Sequence, residues 1–251
     1  MSNHANWLRK ALITTMLVLP LAAQAQTLEV SAEQELLWDQ SQGLYQAIGD
    51  AIATRGSQTI RGDTLRAYYS QEGENQDIER LVALTNVSFS DTNLKGSGSQ
   101  LDYNIQRNFY EITGPNAIVT SQDGTATAEQ LIQFDRAEGR VTLEGRGEIT
   151  LTDGRLLKGD QIDIALNEAE EIETIFATGN VFISQPDGRQ AEASEGTYDA
   201  KAGTALLIGD VKIIDGESIL NGQKAEIDFN NGVSRLLTTE GSGRVSGILV
   251  E

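Results

Sequence analysis

An all-β fold of paired antiparallel strands is predicted by three features of the 251-residue chain. Apolar residues alternate with polar ones in short runs. A glycine recurs at the centre of these runs. Asp-Gly pairs follow at a regular distance. The stretch from Ile175 to Ile183 shows the pattern: Ile175, Ala177, Val181 and Ile183 share one face, with Gly179 between them. A strand turns successive side chains to opposite faces, so this is one apolar face with a gap at its centre. Asp187-Gly188 supplies a turn, and Gly196-Thr197-Tyr198-Asp199 returns as a second strand. The pattern recurs as Leu207-Ile208-Gly209-Asp210-Val211-Lys212-Ile213, Asp215-Gly216 and Ala225 to Phe229.

The chain begins with a segment that is read apart from the fold. Arg9 and Lys10 precede the apolar run Ala11 to Ala22, and Ala23-Gln24-Ala25 places small residues at a cleavage position. Residues 1–25 read as a cleaved secretory signal, with an apolar run short for a membrane span. Residues 26–251 then form a single domain. Thr27 to Val30 alternates as a strand, followed by Leu36-Leu37-Trp38 and a turn at Gln42-Gly43. Leu37, Leu44, Ile48 and Ile52 also fit a helical spacing, and the internal repeat decides for strand.

The repeat centres fall at Gly49, Thr85-Asn86, Gly114, Gly145, Gly179 and Gly209, with a degenerate copy near Gly241 to Val245. Their unequal spacing predicts hairpins with variable loops, not a rigid solenoid coil. Asp-Gly at 123–124, 153–154, 187–188 and 215–216 is expected to supply the positive φ angles of tight turns. Return strands are predicted at Leu65–Tyr69, Leu101–Ile105, Leu131–Phe134, Ile162–Ile164, Gly196–Ala200 and Ala225–Phe229. Gln71 to Asp77 is polar enough for a long surface loop. One strand of each pair is placed in each of two facing sheets, giving a groove of roughly 30 Å from six or seven strand spacings of about 4.8 Å.

Composition limits the chemistry. There is no cysteine, and the single histidine, His4, lies in the signal. Beyond residue 25 the chain therefore has no Ser-His-Asp or Cys-His catalysis and no usual zinc site. Removing Arg9 and Lys10 leaves 17 basic and 37 acidic residues, a formal charge of −20. Such a surface repels nucleic acid and anionic headgroups. Carboxylate chemistry on a polysaccharide stays open, but Asp163 and Asp199 do not stand out from other acids as the required pair. A structural or adhesive repeat protein also stays open.

Three motifs carry a resemblance: Thr178-Gly179-Asn180-Val181-x-Ile183, Ala193 to Tyr198-Asp199, and Leu207-x-Gly209-Asp210-Val211-x-Ile213. With the opening Leu28 to Ala53 and the close Arg244 to Val250, they resemble the LptA/OstA family of periplasmic lipopolysaccharide-transport proteins. The resemblance implies an OstA-like β-jellyroll of two V-shaped antiparallel sheets. It implies no enzyme activity and no cofactor. Lipopolysaccharide acyl chains would lie between the sheets. Copies would join head to tail, and would also join an inner-membrane anchored partner and an outer-membrane barrel partner. The repeat count exceeds that of a compact member, so extra strands or two fused units are expected.

The inward set expected to form the lipid groove is Ala47, Ala51, Val87, Phe89, Ile149, Val181, Ile183, Val211 and Ile213 from the strands that carry the centres. Leu65, Leu101, Tyr103, Ile162, Ile164, Tyr198, Ile227 and Phe229 come from the return strands. The edge strands expected to carry assembly contain Leu28 and Val30 at the start, and Val245, Ile248 and Val250 at the end. Arg61 and Lys158, each preceding Gly-Asp, read as solvated charges at a rim rather than phosphate ligands. The central glycines read as bulge positions, not ligand contacts.

Overall fold

The computed structural model describes residues 27–70, 77–238 and 244–248. The signal segment, Gln71 to Gln76 of the polar loop and Val250 lie outside the described residues. Every described element is a β-strand. In chain order these are β1 (Glu29–Ser31), β2 (Glu35–Asp39), β3 (Leu44–Arg55), β4 (Gln58–Tyr69), β5 (Ile78–Ser90), β6 (Lys95–Asn104), β7 (Phe109–Thr113), β8 (Ala117–Thr120) and β9 (Gly124–Ala128). Then follow β10 (Leu131–Asp135), β11 (Arg140–Leu151), β12 (Leu156–Leu166), β13 (Ile172–Ser184), β14 (Gln190–Asp199), β15 (Thr204–Asp215), β16 (Ser218–Asp228), β17 (Val233–Leu237) and β18 (Ser246–Ile248). All pairings are antiparallel.

The long strands are bent at their middles, and the repeat centres are the bends. In β3, Ile48 faces Thr64 and Ala51 faces Gly62, so Gly49 and Asp50 oppose the single residue Asp63. Two residues against one is a β-bulge, which bends and twists its strand. The backbone explains the sequence signature. Gly179 and Asn180 have φ of 70° and 49°, and Gly49-Asp50, Gly145-Arg146 and Gly209-Asp210 repeat this left-handed pair. Glycine takes that conformation without a Cβ clash, and Asn and Asp tolerate it better than most residues. Thr85-Asn86 holds the same pair, at φ 62° and 51°, without glycine. On the outer side of the bend, the Asn86 amide donates to the Asp63 carboxylate at 3.1 Å and Asn180 donates to Asp160 at 2.8 Å.

Each long strand therefore belongs to two sheets. Residues before the bend in β3, β5, β11, β13 and β15 pair with residues after the bend in β4, β12, β14 and β16 to form the first sheet. The other halves form the second. Short segments complete single rungs: β6 pairs with β7 through residues 100–104 and with β8 through residues 95–97. β11 likewise takes β10 on one half and β9 on the other. This corrects the expectation that one strand of each hairpin lies in each sheet. Among the described residues, fourteen bent rungs, ten continuous and four divided, stack side by side. At about 4.8 Å per spacing, the trough is roughly 60 Å long, twice the expected length.

The two sheets face each other across an apolar interior. Phe89 of the second sheet stacks near Tyr110 of the first, at 6.3 Å between centroids. Gln58 of the second sheet donates to the Tyr110 hydroxyl at 3.1 Å. Tyr103 and Tyr110 stack at 4.0 Å, and Tyr110 stacks on Phe134 at 6.1 Å, so one aromatic ladder crosses three rungs. Burial and the neighbouring Tyr103 push the Tyr110 phenol well above the ordinary tyrosine range. The V-shaped β-jellyroll is thus produced by a periodic bulge in an otherwise continuous antiparallel meander.

The turns use chemistry that differs from the expectation. At Asp153-Gly154 and Asp187-Gly188 only glycine has positive φ. The aspartate instead accepts the amide two residues on, from Arg155 at 3.0 Å and Arg189 at 3.1 Å. These are Asx turns that also hold an arginine. At the first-sheet ends a second motif appears: Asp or Asn, three residues, then Gly or Asn in the left-handed region. Asp39 to Gly43, Asn104 to Asn108, Asp135 to Gly139, Asp199 to Gly203 and Asp228 to Gly232 all share it. Asp199 accepts the Ala202 amide at 2.8 Å and Asp228 accepts those of Asn230 and Asn231 at 3.0 Å.

Candidate functional site: the interior of the V

The inner faces bring the sequence-selected residues together. Ala47, Leu65, Leu101, Tyr103, Ile162, Ile164 and Ile227 are buried from the first sheet. Ala51, Val87, Phe89, Ile149, Val181, Ile183, Val211 and Ile213 are buried from the second. Tyr198 and Phe229 are half-buried at the margin, packed edge-to-face at 5.8 Å. No polar or charged residue is buried among the described residues, so the interior is an apolar surface throughout.

Sequence reasoning missed about half of this surface. Leu81, Ala83, Ile112, Ile132, Leu143 and Leu207 are equally buried. Their signal was present in the same alternation. It was lost by assigning each strand to one sheet, which counted one half of several bent strands. Phe182, which alternation sets on the face opposite the buried Val181 and Ile183, is half-buried, whereas Phe176 is exposed. Of the edge residues, Leu28 and Val30 are half-buried and pack against the interior, while Val245 and Ile248 are exposed. Lys158 pairs with Glu148 at 2.7 Å on the outer surface, and Arg61 is exposed there.

The interior is largely filled. One cavity of about 100 Å³ lies among Phe89, Tyr110, Ile132, Phe134, Ile149 and Ile164. A second of about 40 Å³ lies among Leu157, Ile175, Tyr198, Ala205 and Phe229. Ligand sites for drug-sized molecules span about 300–1,000 Å³. Both cavities fall below that range.

Polar contacts cross the mouth at the turns. Arg136, in the β10–β11 turn of the first sheet, reaches Asp91 in the β5–β6 turn of the second at 3.1 Å. The same guanidinium grips Glu170 with two hydrogen bonds. Burial alone would raise the Asp91 carboxyl. Hydrogen bonds from Ser57, the Thr92 amide, Arg136 and Gln58 outweigh it and hold the group well below the carboxylate range. The Glu170 hydrogen bond raises Arg136 further above its ordinary value. One repeat along, Arg155 crosses the mouth from the second sheet. It donates to the Tyr198 hydroxyl at 3.0 Å and lies 5.0 Å from the centroids of both Tyr198 and Phe229. Next, Arg189 donates to the Gly232 carbonyl at 3.3 Å across the same gap. Asp153 and Asp187 hold these two arginines at 2.6 Å.

The fold and the site together define an all-β protein with an apolar trough between two bent sheets and polar contacts across its rim. The chain belongs to the LptA/(LptD N-terminal domain) LPS transport protein family, whose model matches it twice, over residues 29–139 and 132–233. Membership places it among transport proteins and not enzymes. No curated protein matches the chain. Among solved structures, it is similar to the crystal structure of LptH, the LptA homologous periplasmic component of the lipopolysaccharide transport device from Pseudomonas aeruginosa. That similarity spans 90% of this chain and 96% of the other, at 13% identity and a TM-score of 0.23.

Proposed function

We propose that this protein carries lipopolysaccharide across the periplasm, holding its acyl chains between the two sheets while the sugars stay in water. The observation that supports this is the combination of family membership with a trough whose inner face buries no polar side chain among the described residues. Burying apolar surface there contributes about 25 cal/mol per Å². In this reading residues 1–25 are a signal removed on export, and residues 26–251 act as one unit in the periplasm. The exposed end strands pair with those of further copies, of an inner-membrane anchored partner and of an outer-membrane barrel partner. Unpaired strand edges favour such β-augmentation.

The test is photo-crosslinking in cells. A photoreactive residue in place of Val181 or Ile183, both inward, should capture lipopolysaccharide. The same residue in place of Phe176, exposed on the outer face, should not. Equal capture at Phe176 and Ile183 would overturn the groove.

A further inference from the structure

The chain contains a copy of its own first rung. Ala32, Glu33, Gln34, Asp39, Gly43 and Gly49 recur 96 positions later as Ala128, Glu129, Gln130, Asp135, Gly139 and Gly145, with no insertion between. The geometry recurs with the letters. The Glu33 amide donates to Gly49 and Gln34 to Ile48, as Glu129 donates to Gly145 and Gln130 to Glu144. The register of β1 and β2 on β3 equals that of β9 and β10 on β11, shifted by the same 96.

The last rung has a counterpart too. β17 sits on β16 as β7 sits on β6, with every partner shifted by 124. β18 pairs with residues 219–221 of β16, the places equivalent to residues 95–97 of β6 that take β8. Inside the chain, the rung β7/β8 is covered by the rung β9/β10. At the two ends, no further strand covers the counterparts among the described residues. The difference shows in exposure: Leu36 is 63% exposed where Ile132 is 2%, and Trp38 is 50% exposed where Phe134 is 8%.

We infer that the β7/β8–β9/β10 junction is an internal copy of the contact the chain's ends make, and that it fixes the register of that contact. The partner is a second copy of this chain. β17/β18 of one molecule lies antiparallel on β2/β1 of the next. Ile112 faces Ile132 and Glu111 faces Gln133 in the internal junction. The transferred register therefore sets Leu236 against Leu36 and Arg235 against Leu37. It continues the inner apolar face across the boundary, since Leu36 and Trp38 then occupy the covered places of Ile132 and Phe134. A start surface meets an end surface, so growth is open-ended. This inference rests on the transport reading and specifies its self-assembly.

Because the chain has no cysteine, the register can be read by disulfide formation. Leu37 and Arg235 are exposed and point outward, so Leu37→Cys and Arg235→Cys should leave the fold intact. Directly opposite residues in an antiparallel pair have Cα atoms about 4.5–5.5 Å apart, within disulfide range. Mixing the two single variants under mild oxidation should give a mixed dimer. Its yield should exceed, by about tenfold, that of Leu37→Cys with Val233→Cys, where the Cα separation would be about 8 Å. Equal yields, dimers of Leu37→Cys with itself alone, or no dimer at any concentration would each overturn the inference. Lipid capture at Val181 is scored on the same preparations. If capture persists while the register fails, the transport reading stands without this junction.

Discussion

Arg136 Nη1 lies 3.1 Å from Asp91 Oδ2, and these two residues come from turns of opposite sheets. Their side chains are 20% and 16% exposed, so the pair is shielded from water more than most surface ion pairs. The contact spans the mouth of the trough above its larger cavity, which Glu170 also lines. Removing one partner leaves the other partly buried and short of one hydrogen bond, with Glu170 still on Arg136 and Ser57, Gln58 and the Thr92 amide still on Asp91. Arg136→Gln or Asp91→Asn should therefore lower stability by about 1–3 kcal/mol in urea denaturation at pH 7. If the contact is also a closure, the same variants should bind a fluorescent fatty acyl probe faster in stopped flow. Unchanged binding rates with reduced stability would make it a brace only.

The same carboxyl sets an acid limit. Asp91 has its pKa depressed in the folded state, against about 3.9 when unfolded. A depressed carboxylate contributes stability that is fully present above the unfolded value and is lost as pH falls through the folded one. Stability should thus decline as pH drops below about 4. The Asp91→Asn variant should show a shallower decline over that window in parallel urea titrations.

The bends make a paired prediction about glycine. A Cβ added to Gly179, at φ 70°, would clash with the Asp160 carboxylate, whereas one added to Gly188 at φ 90° meets nothing within 4 Å. Gly188→Ala should cost about 1–2 kcal/mol, the penalty of the left-handed backbone alone. Gly179→Ala should cost more, because the Asp160–Asn180 contact must also move. Thr85 stands at the equivalent place with φ 62° and an exposed side chain. Thr85→Gly should therefore stabilise the protein, by up to about 1 kcal/mol after the entropy cost of glycine. Thermal unfolding of the three variants orders them directly.

These bends also show how far the sequence could be read. The alternation Ile175, Ala177, Val181, Ile183 identified the inward face, and all four are buried. Gly179 was legible as a bulge because only a few residue types accept its backbone. What alternation does not encode is that a bulge carries a strand from one sheet into the next, so the trough came out at half its length. The turn at Gln42-Gly43 was legible, but the motif it shares with Asp199 to Gly203 and Asp228 to Gly232 was not, because the three residues between the ends vary and only the capping Asp and the left-handed Gly recur. The arginine contacts were hidden for another reason. Asp153-Gly154-Arg155 is local, but its partners Tyr198 and Phe229 are set by the fold of the sheets.

The last prediction separates apolar capture from charge. The chain carries a formal charge of −18, and −20 without its first 25 residues, while lipopolysaccharide is anionic. Long-range attraction therefore cannot drive binding, and at low salt the two repel. Surface electrostatics are screened within about 10 Å at 0.1 M salt and about 3 Å at 1 M, whereas burial of apolar surface is not screened. Affinity for lipopolysaccharide should stay level or rise modestly from low to high salt. Arg155→Ala removes a cation from the rim and the contact that closes the smaller cavity over Tyr198 and Phe229. If acyl chains carry the affinity, this variant should retain binding at every salt concentration and load faster. A steep fall in affinity with rising salt, abolished in Arg155→Ala, would instead assign recognition to phosphate at the rim and remove the interior as the principal site.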